Sequence, residues 1–268
     1  MTNLKNIIFL ILALSLFIAS SVIASITSIK DKKPTCDRYV LNTYLYLTIS
    51  LSLLISLVIM LNILMPNYIK NNFMLLFALI IIHTLLNFLF IYLIHTIPST
   101  DLIKKRIIWG LFILNFSLFL LPYIQILIRS GNEDLILSTM FITFAIVAAL
   151  TLLTYISPDL IIKNSSSWTP YILIALVGLI LAYLIPMIFC AFANCSMIFL
   201  NKWYYYLAII GVILFIFVIL YKTKKVVENA EKCKSPLDAD YIKEATGLFI
   251  SIVNLFLNLI SGRRRRRI

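Results

Sequence analysis

The sequence predicts an all-α integral membrane protein: a bundle of about seven transmembrane helices plus a short re-entrant or semi-inserted C-terminal helix. Three observations carry this expectation. Of 268 residues, 62% are apolar and only 13% charged, which excludes disordered and disulfide-scaffold classes. Seven apolar runs, at 6–29, 40–64, 73–97, 107–128, 135–156, 171–190 and 204–221, contain no Asp, Glu, Lys or Arg. Each meets or approaches the roughly 20 residues needed to cross a hydrocarbon core of about 30 Å. None shows the period-2 alternation of a barrel strand, so the spans are helices whose backbone groups pair internally.

The first run has a signal-peptide pattern: Lys5, an apolar core, then the small residues Ala19, Ser20, Ser21, Ala24 and Ser25. Cleavage there would carry the basic stretch Lys30 to Arg38 out of the cytosol, against the positive-inside bias. Residues 1–37 therefore read as an extra N-terminal membrane anchor, a possible signal sequence, with a basic linker; residues 38–268 form the main membrane domain. In the third span His83 and Asn87 share a helical face, and Asn115 and Gln125 lie in the fourth. Polar groups at membrane depth are functional candidates, with interhelical hydrogen bonding as the plainer role. Histidine adds the capacity to titrate near neutral pH, whereas His95, at a span end, reads as interfacial. Cys190 and Cys195 at the end of the sixth span would need the chain to turn between them to bridge.

The connections after the first, third, fifth and seventh spans hold fourteen of the 23 Lys and Arg residues. Only Lys5, Lys70, Arg129 and Lys202 lie on the opposite side, so the first set marks the cytosol, with the N-terminus lumenal and the C-terminus cytosolic. Arg263 to Arg267 read as a headgroup anchor or as an arginine-type endoplasmic reticulum retention signal. The net charge of +12 sits beside membrane spans, so the expected partner is the lipid bilayer and not nucleic acid. Cys36 and Cys233, on the cytosolic side, are expected to be reduced. Asn164-Ser165-Ser166 should be cytosolic and unglycosylated. No metal-ligand spacing, phosphate loop or catalytic set is present, which predicts neither an enzyme nor a bound cofactor.

Residues 245–260, ATGLFISIVNLFLNLI, would rise about 24 Å as a helix, short of a full crossing. Gly247, Ser251, Asn254 and Asn258 recur at helical spacing and make a narrow polar stripe. Interfacial helices usually carry charge on that face, so an uncharged stripe points to burial among the other helices.

At these residues the sequence resembles a known family. Residues 238–260, DADYIKEATGLFISIVNLFLNLI, are similar to the C-terminal signature of the transmembrane Bax-inhibitor motif family, where an acidic-Tyr-Ile start leads into a helix reading approximately LYLDIINLFLYLL. Residues 214–228, LFIFVILYKTKKVVE, resemble its sixth helix, which ends in a Tyr-Asp-Thr-Gln pattern matched here by Tyr221 and Thr223. RYVLNTYLYLTISLSLL from Arg38 and STMFITFAIVAALTLLTYISPDL from Ser138 are similar to its first and fourth helices. The resemblance implies six helices plus a re-entrant segment, and a calcium-permeable leak that inhibits apoptosis from endoplasmic reticulum or Golgi membranes. The Golgi anti-apoptotic members include viral copies, so a divergent viral member is one expectation.

The resemblance also implies a latch of two Asp side chains, one ending the sixth helix and one in the last. Here those positions hold Lys222 and Ser251. Two adjacent carboxylates share a proton and respond near neutral pH; a Lys and a Ser do not, so acid gating is expected to be lost. A fixed cation at the pore mouth would repel calcium by about 1 to 4 kcal/mol, unless Lys222 snorkels to the interface. Ser251, Asn254 and Asn258 would then line a neutral passage, with Asp238 and Asp240 either attracting cations at its mouth or serving as solvated loop charges. Calcium would be cargo. The alternative is a non-conducting protein of the same fold that binds other membrane or apoptosis-related proteins.

Overall fold

The computed structural model describes residues 2–30, 33–66, 73–156, 165–192 and 197–265. Among these are eight helices: α1 (Thr2–Thr27), α2 (Tyr39–Leu64), α3 (Phe73–Thr96), α4 (Leu102–Arg129), α5 (Glu133–Ile156), α6 (Ser165–Phe192), α7 (Met197–Lys232) and α8 (Tyr241–Arg265). Every one is long and apolar enough to cross a bilayer, and the chain is an integral multi-pass membrane protein. The basic linker after α1 holds a short antiparallel pair, β1 (Ile29–Lys30) and β2 (Lys33–Pro34), with Ile29 opposite Pro34.

The all-α membrane class holds, and the last two helices run longer than their apolar stretches. Helix α7 does not stop near Tyr221 but runs 36 residues, to Lys232, because KKVVENAEK holds no Gly or Pro and is rich in good helix formers. It ends before Ser235-Pro236, where proline disfavours helical geometry at its predecessor. Helix α8 has 25 residues, a rise of about 37 Å. It starts early because Asp240 Oδ1 accepts the backbone N–H of Lys243 at 3.2 Å, an N-cap that satisfies one orphan donor. It ends late because arginine is a good helix former and its charge suits the C-terminal dipole.

The chain divides into two compact units: Met1–Gly131 with Glu228–Phe249, and Asn132–Val227 with Ile250–Ile268. In the first, α1 packs along α2. Ala13, Ser20 and Ala24 are buried, small residues on one face that let two backbones approach. Two of the signal-like small residues thus lie in a helix interface. Thr27 and Asn42 fasten the end of this hairpin, with Thr27 Oγ1 donating to Asn42 Oδ1 at 2.6 Å and Asn42 Nδ2 to the Thr27 carbonyl at 3.1 Å.

Helices α2, α4 and α8 meet through aromatic rings. Trp109 lies edge-on to Tyr46 (5.7 Å), Tyr46 stacks on Tyr241 (6.1 Å), and Tyr39 packs edge-on to Tyr241 (5.3 Å). Further along, Phe112 and Phe116 both contact Phe249, at 5.9 and 5.4 Å. Edge-to-face pairs of this kind add about 0.5 to 1.5 kcal/mol each beyond their buried area.

In the second unit Tyr183 of α6 stacks on Tyr204 of α7 at 5.8 Å, and Trp203 Nε1 donates to the Ala182 carbonyl at 3.2 Å. Helices α5 and α6 expose Phe141, Leu152, Leu173, Ile174 and Ile185, an apolar surface suited to a lipid environment.

A correction concerns cysteine. Cys36 and Cys233 are joined in a disulfide, where the sequence reading had them reduced. That expectation rested on compartment alone, whereas the fold brings their Cα atoms to 5.6 Å, within bonding reach. The side chain of Cys190, Cys195 and Asn164 of the glycosylation sequon lie outside the described residues.

Candidate functional site

The candidate residues sit mainly on the α7–α8 hairpin and its connection, residues 233–240. Near the connection, Asn229 Nδ2 donates to Glu244 Oε1 at 2.9 Å. Far from it, a Cβ added to Gly211 would overlap the Asn258 carboxamide. The two helices therefore run antiparallel, and their register brings Lys222 level with Ser251. These are the two positions where the resemblance implies a carboxylate latch. Ser251 is buried and Lys222 half-buried.

Further along α8 the polar stripe is occupied within the protein. Asn254 Nδ2 donates to the Ile250 carbonyl at 2.8 Å, and Asn258 Nδ2 to the Asn254 carbonyl at 2.8 Å. Asn258 Oδ1 accepts from Tyr183 Oη at 3.0 Å. The Asn258 carboxamide sits in the notch left by the absent side chain of Gly211. Gly211→Ala is expected to destabilise the protein by about 1 to 3 kcal/mol through overpacking. Adding Asn258→Ala should recover most of this loss in a thermal melt in detergent, and a melt of Gly211→Ala unchanged from native would mean that the notch is not filled.

Neither loop carboxylate stands free. Asp240 caps α8 and also accepts from Lys105 Nζ at 2.7 Å, while the same ammonium donates to the Ile97 carbonyl at 2.8 Å. Lys105 is 1% exposed and Asp240 20%, so this ion pair between α4 and α8 is largely withdrawn from solvent. Asp238 Oδ2 accepts from Ser235 Oγ (2.8 Å) and from the backbone N–H groups of Ser235 (3.0 Å) and Lys234 (3.2 Å). The Ser235 hydroxyl first, then these two amides, hold its carboxyl below the usual range. A depressed carboxylate keeps its stabilising contacts at neutral pH and loses them only as pH falls through its lowered pKa. That window is too acid for Asp238 to sense mild acidification.

In the first unit, His83, Asn87 and Asn115 form one cluster between α3 and α4. Asn115 Nδ2 donates to the His83 carbonyl (3.0 Å) and to Asn87 Oδ1 (2.8 Å), which fixes the amide so that its Oδ1 faces His83 Nδ1 at 2.7 Å. His83 Nδ1 therefore carries a proton. Gln125 Nε2 donates to the Met65 carbonyl at 2.8 Å. Replacing Asn115 by Ala strands these partners and is expected to cost about 0.6 to 2 kcal/mol, read as a lowered melting midpoint.

Sequence reasoning singled out Lys222, Ser251, Asn254, Asn258, Asp238, Asp240, His83 and Asn87, and the fold joins Asp240 and Asn258 to residues it passed over. Lys105 entered only as a topological charge, although a lysine in the first turn of an apolar span asks for a buried partner. Tyr183 and Gly211 carried no signal until α6 and α7 were seen beside Asn258. Tyr221 Oη lies 2.7 Å from Thr169 Oγ1, a contact between α7 and α6 that the motif match left unassigned.

The family model described as "Inhibitor of apoptosis-promoting Bax1" matches residues 36–262. The chain belongs to the Bax-inhibitor family. The match begins at Cys36, so α1 precedes the family domain and α2 to α8 lie almost wholly within it. No curated protein matches the sequence significantly. In this Bax-inhibitor family member the register of α7 and α8 sets Lys222 and Ser251 at one level, and neither is a carboxylate.

Proposed function

We propose that this Bax-inhibitor protein acts on calcium content and apoptosis from an intracellular membrane, endoplasmic reticulum or Golgi, as a calcium leak without acid gating. The observation that carries this reading is the family match across 36–262, together with Lys222 and Ser251 at the latch level. In this reading the protein is not an enzyme and calcium is cargo. Calcium efflux from proteoliposomes tests it, with native protein expected to leak at a rate unchanged by mild acid.

A second reading, a non-conducting membrane protein that binds other membrane or apoptosis-related proteins, is favoured by Asn254 and Asn258. Their amides bond to α8's own backbone and, for Asn258, to Tyr183, which leaves a stripe matched to protein and not to passing ions. Absence of efflux from the native chain would decide for this reading.

We further propose that the fourteen-cation side is cytosolic and the N-terminus lumenal. For the C-terminus, the charge-based cytosolic reading competes with a contact. Arg263 Nη1 donates to Ser138 Oγ (3.0 Å) and Thr139 Oγ1 (3.1 Å) in the first turns of α5, the end that the charge count assigns to the lumen. A glycosylation sequon appended after Ile268 should be modified if α8 crosses fully, and the native Asn164 sequon should not be. Sugar on Asn164 would reverse the whole orientation.

A further inference from the structure

The connection 233–240 is held at three places. Cys233 is bonded to Cys36 in the linker between β2 and α2. Ser99 Oγ, between α3 and α4, lies 2.9 and 2.8 Å from the carbonyls of Pro236 and Leu237. Lys105 holds Asp240. The last two contacts are non-covalent, and the first ties segments 197 residues apart. Both cysteines are half-buried, within reach of a small thiol. Two residues after Cys36, Arg38 takes the left-handed conformation (φ 54°), unfavourable for a side chain other than glycine. The disulfide therefore joins a strained linker to the segment that carries the N-cap of α8.

We propose that Cys36–Cys233 is a reversible thiol–disulfide modification site, exchanged by the small thiols of the cytosol, and that its state sets how firmly the 233–240 connection is strapped down. The fourteen-cation side on which it lies is the cytosolic side in the orientation proposed above, where the thiol pool keeps most cysteine pairs reduced. The inference rests on that orientation and not on conduction. In the reducing direction a glutathione-type thiolate attacks one sulfur of the bond, and the other leaves as a thiolate and takes a proton. A second glutathione resolves the mixed disulfide, giving oxidised glutathione and two protein thiols, so two electrons and two protons pass to the protein. Oxidation is the reverse, with oxidised glutathione as acceptor. In the reduced state the connection loses its covalent tie and is held by non-covalent contacts, those of Ser99 and Lys105 among them.

The test uses full-length protein in intact microsomes, incubated in glutathione buffers from mostly reduced to mostly oxidised and quenched with a membrane-impermeant polyethylene glycol maleimide. The Cys36→Ser/Cys233→Ser variant supplies the background from Cys190 and Cys195. Two added labels should appear in reduced buffer and disappear on reoxidation. Trypsin, which cuts after Lys232, Lys234 and Lys243, should cleave the reduced native protein roughly tenfold faster than the oxidised, the signature of lost local protection. If the serine variant fails to fold, reduction of the native protein carries both readouts. A bond that withstands cytosol-like glutathione, or equal cleavage in both states, would overturn the proposal. So would labelling that appears only after the membrane is permeabilised, since that places the pair in an oxidising lumen as a permanent cross-link.

Discussion

Proteoliposomes holding Lys222→Asp/Ser251→Asp are expected to release calcium with a steep dependence on mild acid, and those holding the native chain to show none. The reason lies in the α7–α8 register. Two carboxylates introduced at one level on antiparallel neighbours cannot both ionise without repulsion, so they titrate as a coupled pair with one proton held toward neutral pH. The deprotonated fraction, and with it the gated efflux, is expected to change by roughly tenfold over the two pH units that span the apparent pKa. The native Lys and Ser offer no such pair. Native efflux that is insensitive to pH supports an ungated leak, whereas efflux confined to the double variant means that the native chain works through what it binds. Acid-sensitive efflux by the native chain would show that the latch has moved to other groups, with His83 the first to replace.

Asp240→Asn is expected to be the most destabilising single substitution at the α4–α8 contact. Asparagine keeps the N-cap, so the change isolates the ion pair from the cap. It leaves the Lys105 ammonium, 1% exposed, with the Ile97 carbonyl alone. Breaking a buried pair in this way costs about 3 to 5 kcal/mol. The lower end applies because Asp240 is itself 20% exposed. Lys105→Met combined with Asp240→Asn should recover most of the loss, since an apolar side chain of similar length in place of the ammonium removes the uncompensated charge. Melting midpoints in detergent for the two single variants and the double variant make this measurement. A loss below about 1 kcal/mol in Asp240→Asn would mean that water reaches the pair.

The membrane class was legible because composition and run length bear directly on solvent. Helix ends were legible only where charge or proline marks them. Lys222 to Lys232 looked like a loop because charge ends a membrane span, but charge does not end a helix, and α7 runs on beyond the apolar layer. The same confusion shortened α8, whose first turn is set by Asp240 and whose last turn is built of arginines. The polar stripe of α8 was readable from spacing, yet its partners were not. Asn258 needs Tyr183 and Gly211, which are remote in sequence and unremarkable alone. Lys105 and Asp240 stand 135 positions apart, as separated in the chain as they are close in the fold. The disulfide escaped for a different reason, because compartment argues about whether a bond survives and says nothing of which cysteines meet.

The pairing of Lys105 with Asp240 also bears on how the protein is made. Helix α4 emerges from the ribosome well before α8, yet more than half of the spanning stretch of each ends buried. Until Asp240 arrives, Lys105 must wait at the membrane surface or within it without its counter-ion, and the aromatic seam meant for Tyr241 and Phe249 stays open to lipid. Assembly therefore cannot proceed one helix at a time to a finished state. A chain truncated before residue 240 is therefore expected to leave the Lys105 ammonium without its counter-ion, exposing to quality control a charge that the finished protein conceals.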